Sequence, residues 1–180
     1  MQERSDETLM KAYAQGDTEA FEHLYSRHRA PLYRYILRQV GDVATANDLY
    51  QGSWEKIIRA RTKYRAAVPF RAWMYRIAHN HVMDHFRRIK PVADLPAESL
   101  ASADAGPDEQ FLQETREDAL RTAMSRLPAE QREALSFKLD SGLDLQTIAD
   151  ITGVNRETVK SRLRYAVTKL KRTLGDLNTG

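Results

Sequence analysis

The chain of 180 residues contains no cysteine. Disulfides, cysteine-bound zinc fingers and thiol catalysis are therefore excluded, and the composition fits a reducing compartment. No apolar run approaches the ~20 residues that a bilayer-spanning helix needs. The opening sequence, MQERSDETLM, lacks the basic-then-apolar pattern of a secretory signal. From these absences we expect a cytoplasmic protein without a membrane insertion of its own.

Basic residues are also scarce in the middle of the chain. Residues 1–90 hold 16 Lys/Arg against 10 Asp/Glu, and residues 119–180 hold 11 against 7, whereas residues 91–118 hold 1 against 8. Two basic blocks thus flank an acidic segment, although the net charge is only +3. This asymmetry favours a polyanionic partner. Ordinary solvated helix surface would explain the basic blocks equally well.

Alternating strand patterns are absent, and apolar residues recur at helical spacing. In the N-terminal half the pattern predicts a first helix that ends at Gly16-Asp17. A long stripe follows up to Val40, in which Pro31 predicts a kink or a restart. Two further helices are predicted over about 45–60 and 70–88.

Residues 91–108, PVADLPAESLASADAGPD, contain three of the six prolines and no basic residue. This composition is typical of a flexible acidic linker. The predicted fold class is therefore all-α, with two small helical domains joined by that linker. We place the domains at 1–90 and 117–180 and the linker at 91–116.

A helix-turn-helix is predicted in the C-terminal domain, after a helix over about 129–139. A short helix carries Ile148 and Ala149, Gly153 makes a tight turn, and Asn155 is suited to cap a second helix. On that second helix Val159, Leu163, Ala166 and Leu170 share one side. The opposite side and its shoulders carry polar and basic residues: Glu157, Ser161, Arg164 and Thr168, with Arg156, Lys160 and Arg162.

Such a helix fits the major groove of DNA, where side chains reach base edges and phosphates. The alternative is a plain amphipathic helix with a solvated basic face. The alanine, glycine and asparagine placements favour the helix-turn-helix.

Residues 59–76, RARTKYRAAVPFRAWMYR, interleave basic and aromatic side chains. Cations hold a phosphate backbone and aromatic rings stack on unpaired bases, so this pattern suits opened single strands. The alternative is that aromatic residues fill the core and arginines decorate the surface. For Phe70 and Trp73 we favour the core, and for the loop 62–69 we favour nucleic-acid binding.

Residues 79–85, HNHVMDH, place His81 and His85 one helical turn apart with Asp84 beside them. Zinc or iron binding is geometrically possible there. The run is similar to the His-x-His-x-Asp-His of metallo-β-lactamase-like hydrolases, but its spacing differs by one residue and no strands are predicted. We therefore predict no metal and no other cofactor, and we expect Asp84 to pair with Arg87 or Arg88.

Taken together, several blocks resemble the extracytoplasmic-function (ECF) sigma factors, the two-domain group of the sigma-70 family. Residues 20–35, AFEHLYSRHRAPLYRY, resemble the first block of that family's N-terminal domain, and residues 48–51, DLYQ, its polymerase-binding Asp-Leu-x-Gln. Residues 70–80, with Asp84 and Arg87-Arg88, resemble its promoter-melting helix. Residues 127–133 and 158–163 resemble its C-terminal domain. The resemblance spans about residues 7–174.

This resemblance implies an RNA polymerase sigma factor that binds core polymerase, recognises −35 and −10 promoter elements and is not an enzyme. The implied polymerase-binding residues are Asp48, Leu49, Gln51 and Trp54. The implied −10 residues are Arg61, Lys63, Tyr64, Arg65, Arg71, Tyr75, Arg76 and Asn80. The implied −35 residues are Asn155, Arg156, Glu157, Thr158, Lys160, Ser161, Arg162 and Arg164.

The implied partners are core RNA polymerase, promoter DNA and an anti-sigma factor. Gly52 and Trp54 depart from the family pattern, which has an acidic residue and a phenylalanine at those positions. The main alternative is a helix-turn-helix regulator that works without polymerase. That alternative would leave the Asp-Leu-x-Gln helix and the aromatic–basic loop unexplained. A metal-dependent hydrolase and a pure protein-interaction module are further alternatives.

Overall fold

The computed structural model describes residues 2–89 and 111–178, and over these ranges it contains helices and no β-strand. The helices are α1 (Asp6–Ala14), α2 (Thr18–Val40), α3 (Val43–Arg59), α4 (Phe70–Ile89), α5 (Phe111–Ser125), α6 (Ala129–Ser136), α7 (Leu145–Thr152) and α8 (Arg156–Asn178). The predicted all-α fold class is confirmed. Most of the predicted linker lies outside the described residues, and its last part, from residue 111 on, begins α5.

Helix starts follow directly from short polar side chains. The side-chain oxygens of Ser5, Asp17, Asp42, Asp144 and Asn155 each accept a hydrogen bond from the backbone N–H three residues later, at 2.8–3.2 Å. Each bond satisfies a donor that the first helical turn leaves without an intrahelical partner. These caps define where α1, α2, α3, α7 and α8 begin.

Helix α2 runs without interruption through Pro31. Of the two outcomes predicted at this proline, a kink or a restart, the restart is wrong. A proline inside a helix costs about 3 kcal/mol because it removes one backbone hydrogen bond and crowds the preceding turn. Burial on both sides of Pro31, by Leu24 before it and by Leu32 and Ile36 after it, offsets that cost.

The N-terminal core lies between α2, α3 and α4, with α1 packed across α2. Its fully buried members include Leu9, Met10, Leu32, Ile57 and Met74. Helix α1 is also held by Asp6, whose carboxylate contacts His28 at 2.8 Å and Arg27 at 3.0 Å.

A second, smaller core lies in the C-terminal half and joins α5, α6 and α8 through Met124, Leu135, Ala166 and Leu170. Helix α6 does not end as an α-helix, since Phe137–Ser141 continue it as a π turn that closes at Gly142 in the left-handed region. The sequence predicted an ordinary helix end there.

The two halves pack directly against each other. Helices α2 and α4 contact α6, the π turn and α7. The buried cluster is continuous across this boundary through Tyr35, Tyr75 and Phe137. This packing was not predicted, because we expected two separate domains joined by a flexible linker.

Candidate functional site

The helix-turn-helix is formed by α7, the turn at Gly153 and α8. Gly153 has φ +75°, which favours glycine, and its N–H donates to the Ala149 carbonyl at 2.9 Å. Ala149 is completely buried where the two helices approach each other. The Oδ1 of Asn155 accepts from both the backbone N–H and the hydroxyl of Thr158, at 2.8 and 2.9 Å. The predicted turn and cap are confirmed.

Helix α8 buries Val159, Ala166 and Leu170 and turns its other side to solvent. The exposed members of the predicted DNA-binding set are Asn155, Arg156, Glu157, Lys160 and Arg164, while Thr158, Ser161 and Arg162 are half-buried. The Arg164 guanidinium lies 5.4 Å from the ring centroid of Tyr165, whose side chain is also exposed. This surface offers several cations and hydrogen-bonding groups on one helix of a width that fits a major groove.

The loop between α3 and α4 begins with a 3₁₀ turn, Arg61–Lys63. Lys63 and Arg65 are exposed, and Arg61 is half-buried, donating to the Ile58 carbonyl at 2.8 Å. Tyr64 is buried against Trp73 and donates its hydroxyl to the Val68 carbonyl. In this conformation the cations of the loop face solvent, and its tyrosine supports the loop from inside.

On α4, Arg71, Arg76 and Asn80 are exposed, whereas Tyr75 is buried. The ring of Tyr75 packs edge-on against Tyr35, with centroids 5.5 Å apart. Burial, with the nearby Asp140 carboxylate as a smaller cause, raises the pKa of the Tyr75 phenol well above its usual range. Phe70 is fully buried and Trp73 half-buried, in agreement with their predicted core role.

The four residues proposed to bind polymerase divide between the two sides of α3. Asp48 and Gln51 are exposed. Leu49 and Trp54 are buried, at 6% and 5% exposure, and the indole of Trp54 packs against Tyr25 and Phe21. Leu49 and Trp54 therefore fix the helix to the core, and of these four residues only Asp48 and Gln51 expose their side chains to solvent.

Gly52, on the same helix, lies against α4. A Cβ at this position would overlap Nε2 of His81 and come within 3.2 Å of its Cε1. The imidazole thus occupies the space that the missing side chain leaves. Burial, and next the charge of Lys56, lower the pKa of His81.

Side chains of the histidine-rich segment, residues 79–85, contact neighbouring charged residues. The Nδ1 of His79 lies 3.1 Å from the Glu133 carboxylate in α6, and Asp84 forms an ion pair with Arg87, as predicted. Across residues 2–89 and 111–178 the structure shows no group of three metal-ligating side chains. Over the same ranges, no helix combines the length and apolar character that crossing a membrane requires.

Family models match both halves of the chain. The model described as Sigma-70 region 2 matches residues 24–91, and the model described as Sigma-70, region 4 matches residues 117–170. The chain is 33% identical over 178 residues to the ECF RNA polymerase sigma factor SigM of Mycobacterium tuberculosis, covering 99% of this chain and 89% of SigM. The chain belongs to the ECF RNA polymerase sigma factors.

A second relative, SigL of Mycobacterium tuberculosis, is 35% identical to this sigma factor over 160 residues, covering 86% of this chain and 88% of SigL. Solved structures share the fold. CnrH, in complex with the cytosolic domain of CnrY, gives a TM-score of 0.71 at 22% identity, over 96% of this chain and 99% of that chain. RpoE of Bartonella quintana, in complex with the anti-sigma factor NepR, gives 0.71 at 24% identity, over 86% and 96%.

The function predicted from the sequence is thereby confirmed: this sigma factor binds core RNA polymerase and directs promoter-specific initiation of transcription. Sequence reasoning did not single out Asp140 and Glu133, the acidic residues that contact the N-terminal half. No local pattern marks them, because their partners lie more than fifty residues away.

Proposed function

We propose that this sigma factor recognises the −35 element with α8 and the −10 element with α4 and the loop before it. The observation that carries the proposal is the exposed polar face of α8, presented by the turn at Gly153 and the cap at Asn155. Phosphate contacts from Arg156 and Lys160 supply affinity, and Glu157 and Arg164 supply base contacts. Thr158, Ser161 and Arg162 flank this face.

For the −10 element, we propose that exposed cations hold the opened strand. Lys63 and Arg65 in the loop and Arg71, Arg76 and Asn80 on α4 carry this role, and Arg61 assists at the loop's start. Tyr64 and Tyr75 stack on unpaired bases only if they leave the positions described above, since both rings are buried.

For core polymerase, we propose that Asp48 and Gln51 contact the clamp of the largest subunit. Leu49 and Trp54 keep α3 in place from the core side. A protein with this role acts in the cytoplasm and lacks a catalytic site of its own. We also propose an anti-sigma factor as a partner, which the complex of the structurally similar RpoE with NepR supports.

The deciding experiment measures binding to a −35/−10 promoter, chosen by run-off transcription on genomic DNA, with and without core polymerase. We expect weak binding by the sigma factor alone and specific open complexes with core enzyme. Strong specific binding without core enzyme would instead favour the polymerase-independent regulator.

The −35 assignment is tested separately with Arg164→Ala. Loss of a side chain that contacts a base costs about 1–3 kcal/mol and relaxes the preference at that base pair. Lys171→Ala removes one positive charge from the same helix outside the proposed set and serves as the matched control. Unchanged −35 preference in Arg164→Ala would show that a different face of α8 contacts the DNA.

A further inference from the structure

Asp140 joins the C-terminal half to the N-terminal half. Its Oδ2 accepts from Nε of Arg38 at 2.8 Å, and its Oδ1 from Nε of Arg34 at 3.3 Å. Only 3% of the Asp140 side chain is exposed. The two arginines lie one turn apart on α2, so a single carboxylate from the C-terminal half accepts hydrogen bonds from both guanidinium groups.

Beside this ion pair, Phe137 inserts between aromatic rings of the N-terminal half. Its ring stacks on Tyr35 with centroids 4.6 Å apart, and it also contacts Tyr75 at 6.1 Å. The hydroxyl of Tyr75 donates to the Asp140 carbonyl at 3.4 Å. Tyr75 is one of the residues proposed to bind the −10 element, and Phe137 and Asp140 cover it here.

The π turn positions both contacting residues. Phe137 and Asp140 are its first and fourth members, and Gly142 ends it with φ +68°. A Cβ at Gly142 would lie 3.0 Å from Nη1 of Arg71, another proposed −10 residue. A return to α-helical geometry would change the direction of the Asp140 side chain, and π turns are rare structures frequently found at functional sites.

Polar groups beside this contact are not all paired. The Oη of Tyr35 and the Nε2 of Gln39 are buried on α2 and, among the described residues, have no hydrogen-bond partner. A cleft of about 690 Å³ adjoins the ion pair and is lined in part by Arg71, Tyr75 and Asp140. Buried polar groups without a partner are destabilising, so these two atoms weaken the contact between the halves.

We propose that the π turn is a self-inhibitory latch. In the free chain, Phe137 and Asp140 hold the C-terminal half over α2 and α4, where they cover Tyr75 and occupy Arg34 and Arg38. The latch must release before Tyr75 can stack on an unpaired base of the opened strand. This consequence for nucleic acid depends on the −10 assignment made above, whereas the closed arrangement itself does not.

The absence of cysteine allows a direct test. Ser26→Cys on α2 and Glu130→Cys on α6, both exposed, provide two unique sites for spin labels in the full chain. We expect one narrow distance distribution by electron–electron resonance. Asp140→Asn should broaden it and shift it to longer distances, whereas Asp150→Asn, which removes the same charge from α7, should leave it narrow.

Loss of the basic partners should have the same effect as loss of the acid. The pair Arg34→Gln and Arg38→Gln should open the chain as far as Asp140→Asn, and all three changes together should open it no further. This second route keeps the test informative if one variant folds poorly. A distribution that is broad in the parent chain, or narrow in every variant, would overturn the latch.

Inhibition is measured with a short fluorescein-labelled single-stranded DNA. The apparent affinity for this DNA equals the affinity of the open form multiplied by the fraction of protein that is open. Asp140→Asn should therefore bind the DNA at least about fivefold more tightly than the parent chain, and Asp150→Asn should not. Opening without tighter binding would overturn the inhibitory role. A different outcome would separate the two proposals. If Asp140→Asn opens and binds single-stranded DNA more tightly, but the sigma factor supports no transcription by core polymerase, the latch is supported and the proposed function is contradicted.

Discussion

The imidazole of His81, on α4, occupies the space where any side chain at Gly52, on α3, would lie. Its Cε1 and Cδ2 would be 3.2 and 3.3 Å from a Cβ at Gly52, and its Nε2 would overlap that atom. The family pattern that the sequence resembles has an acidic residue at this position, and His81 occupies the space that its side chain would need. Gly52 leaves room for this imidazole between α3 and α4, just beside Gln51.

We predict that the effect of Gly52→Ala on stability changes sign with residue 81. Inside a helix, alanine raises the free energy of unfolding by about 1 kcal/mol relative to glycine, whereas overpacking lowers it by about 1–3 kcal/mol. In the parent chain we expect net destabilisation by about 1 kcal/mol. In a His81→Ala background the same change should stabilise by up to about 1 kcal/mol. Urea unfolding of the four proteins measures both effects, and equal effects in the two backgrounds would rule out the steric relationship.

His81 should also make stability depend on pH. Burial and the charge of Lys56 lower its pKa in the folded protein, with Arg88 and His85 in the same direction and Asp84 opposing them. The folded state then binds fewer protons than the unfolded state, so stability falls as pH falls through about 6.5, the usual pKa of histidine.

The measurement is a series of urea unfolding curves between neutral and mildly acidic pH, together with an NMR titration of His81. His81→Gln should reduce the loss of stability on acidification. Gly52→Ala, which displaces the imidazole toward solvent, should raise the pKa of His81. A pKa at or above the usual histidine value in the parent chain would contradict this account.

Asn155 should contribute both to the stability of the protein and to its affinity for the −35 element. Its Oδ1 caps α8, and removal of an N-cap costs about 1 kcal/mol. Asn155→Ala should therefore lower both stability and −35 affinity. Asn155→Ser keeps a capping oxygen and should restore stability. If DNA affinity recovers equally, Asn155 is a cap alone; if affinity stays low, its amide also contacts DNA.

Gln51→Ala and Asp48→Ala should weaken binding to core polymerase without changing unfolding, because both side chains are exposed. We expect a loss of about 1 kcal/mol or more each, the size typical of interface residues that matter. Gln15→Ala, at an exposed position after α1, is the matched control for Gln51→Ala. Trp54→Ala should mainly lower stability, by about 3–5 kcal/mol. Full core affinity in both surface variants would exclude this face of α3.

Local features of this fold were predictable from the sequence. Helix α4 begins at Phe70 as expected, and Gly153 and Asn155 form the expected turn and cap, because glycine and short polar residues act on their own backbone. The continuous α2 was not predictable, since the burial that offsets Pro31 is contributed by other helices.

Long-range contacts were not predictable either. The ion pairs of Asp140 join residues more than a hundred positions apart, and His79 meets Glu133 across the same boundary. Helical periodicity shows which face of a helix is apolar but not which helix will cover it. Tyr75 illustrates the difference: its position fits the −10 set, yet the C-terminal half buries its ring.

Helix α8 is 23 residues long, so at 1.5 Å per residue it forms a rod of about 34 Å. One end presents the proposed −35 residues, and farther along the rod Leu170 packs in the small core with Met124 of α5. In the proposed −35 complex, a tilt imposed at α5 would therefore move the DNA-contacting end of α8 by a distance that grows along the helix. Under that proposal, small adjustments at α5 set the angle at which α8 meets the −35 element.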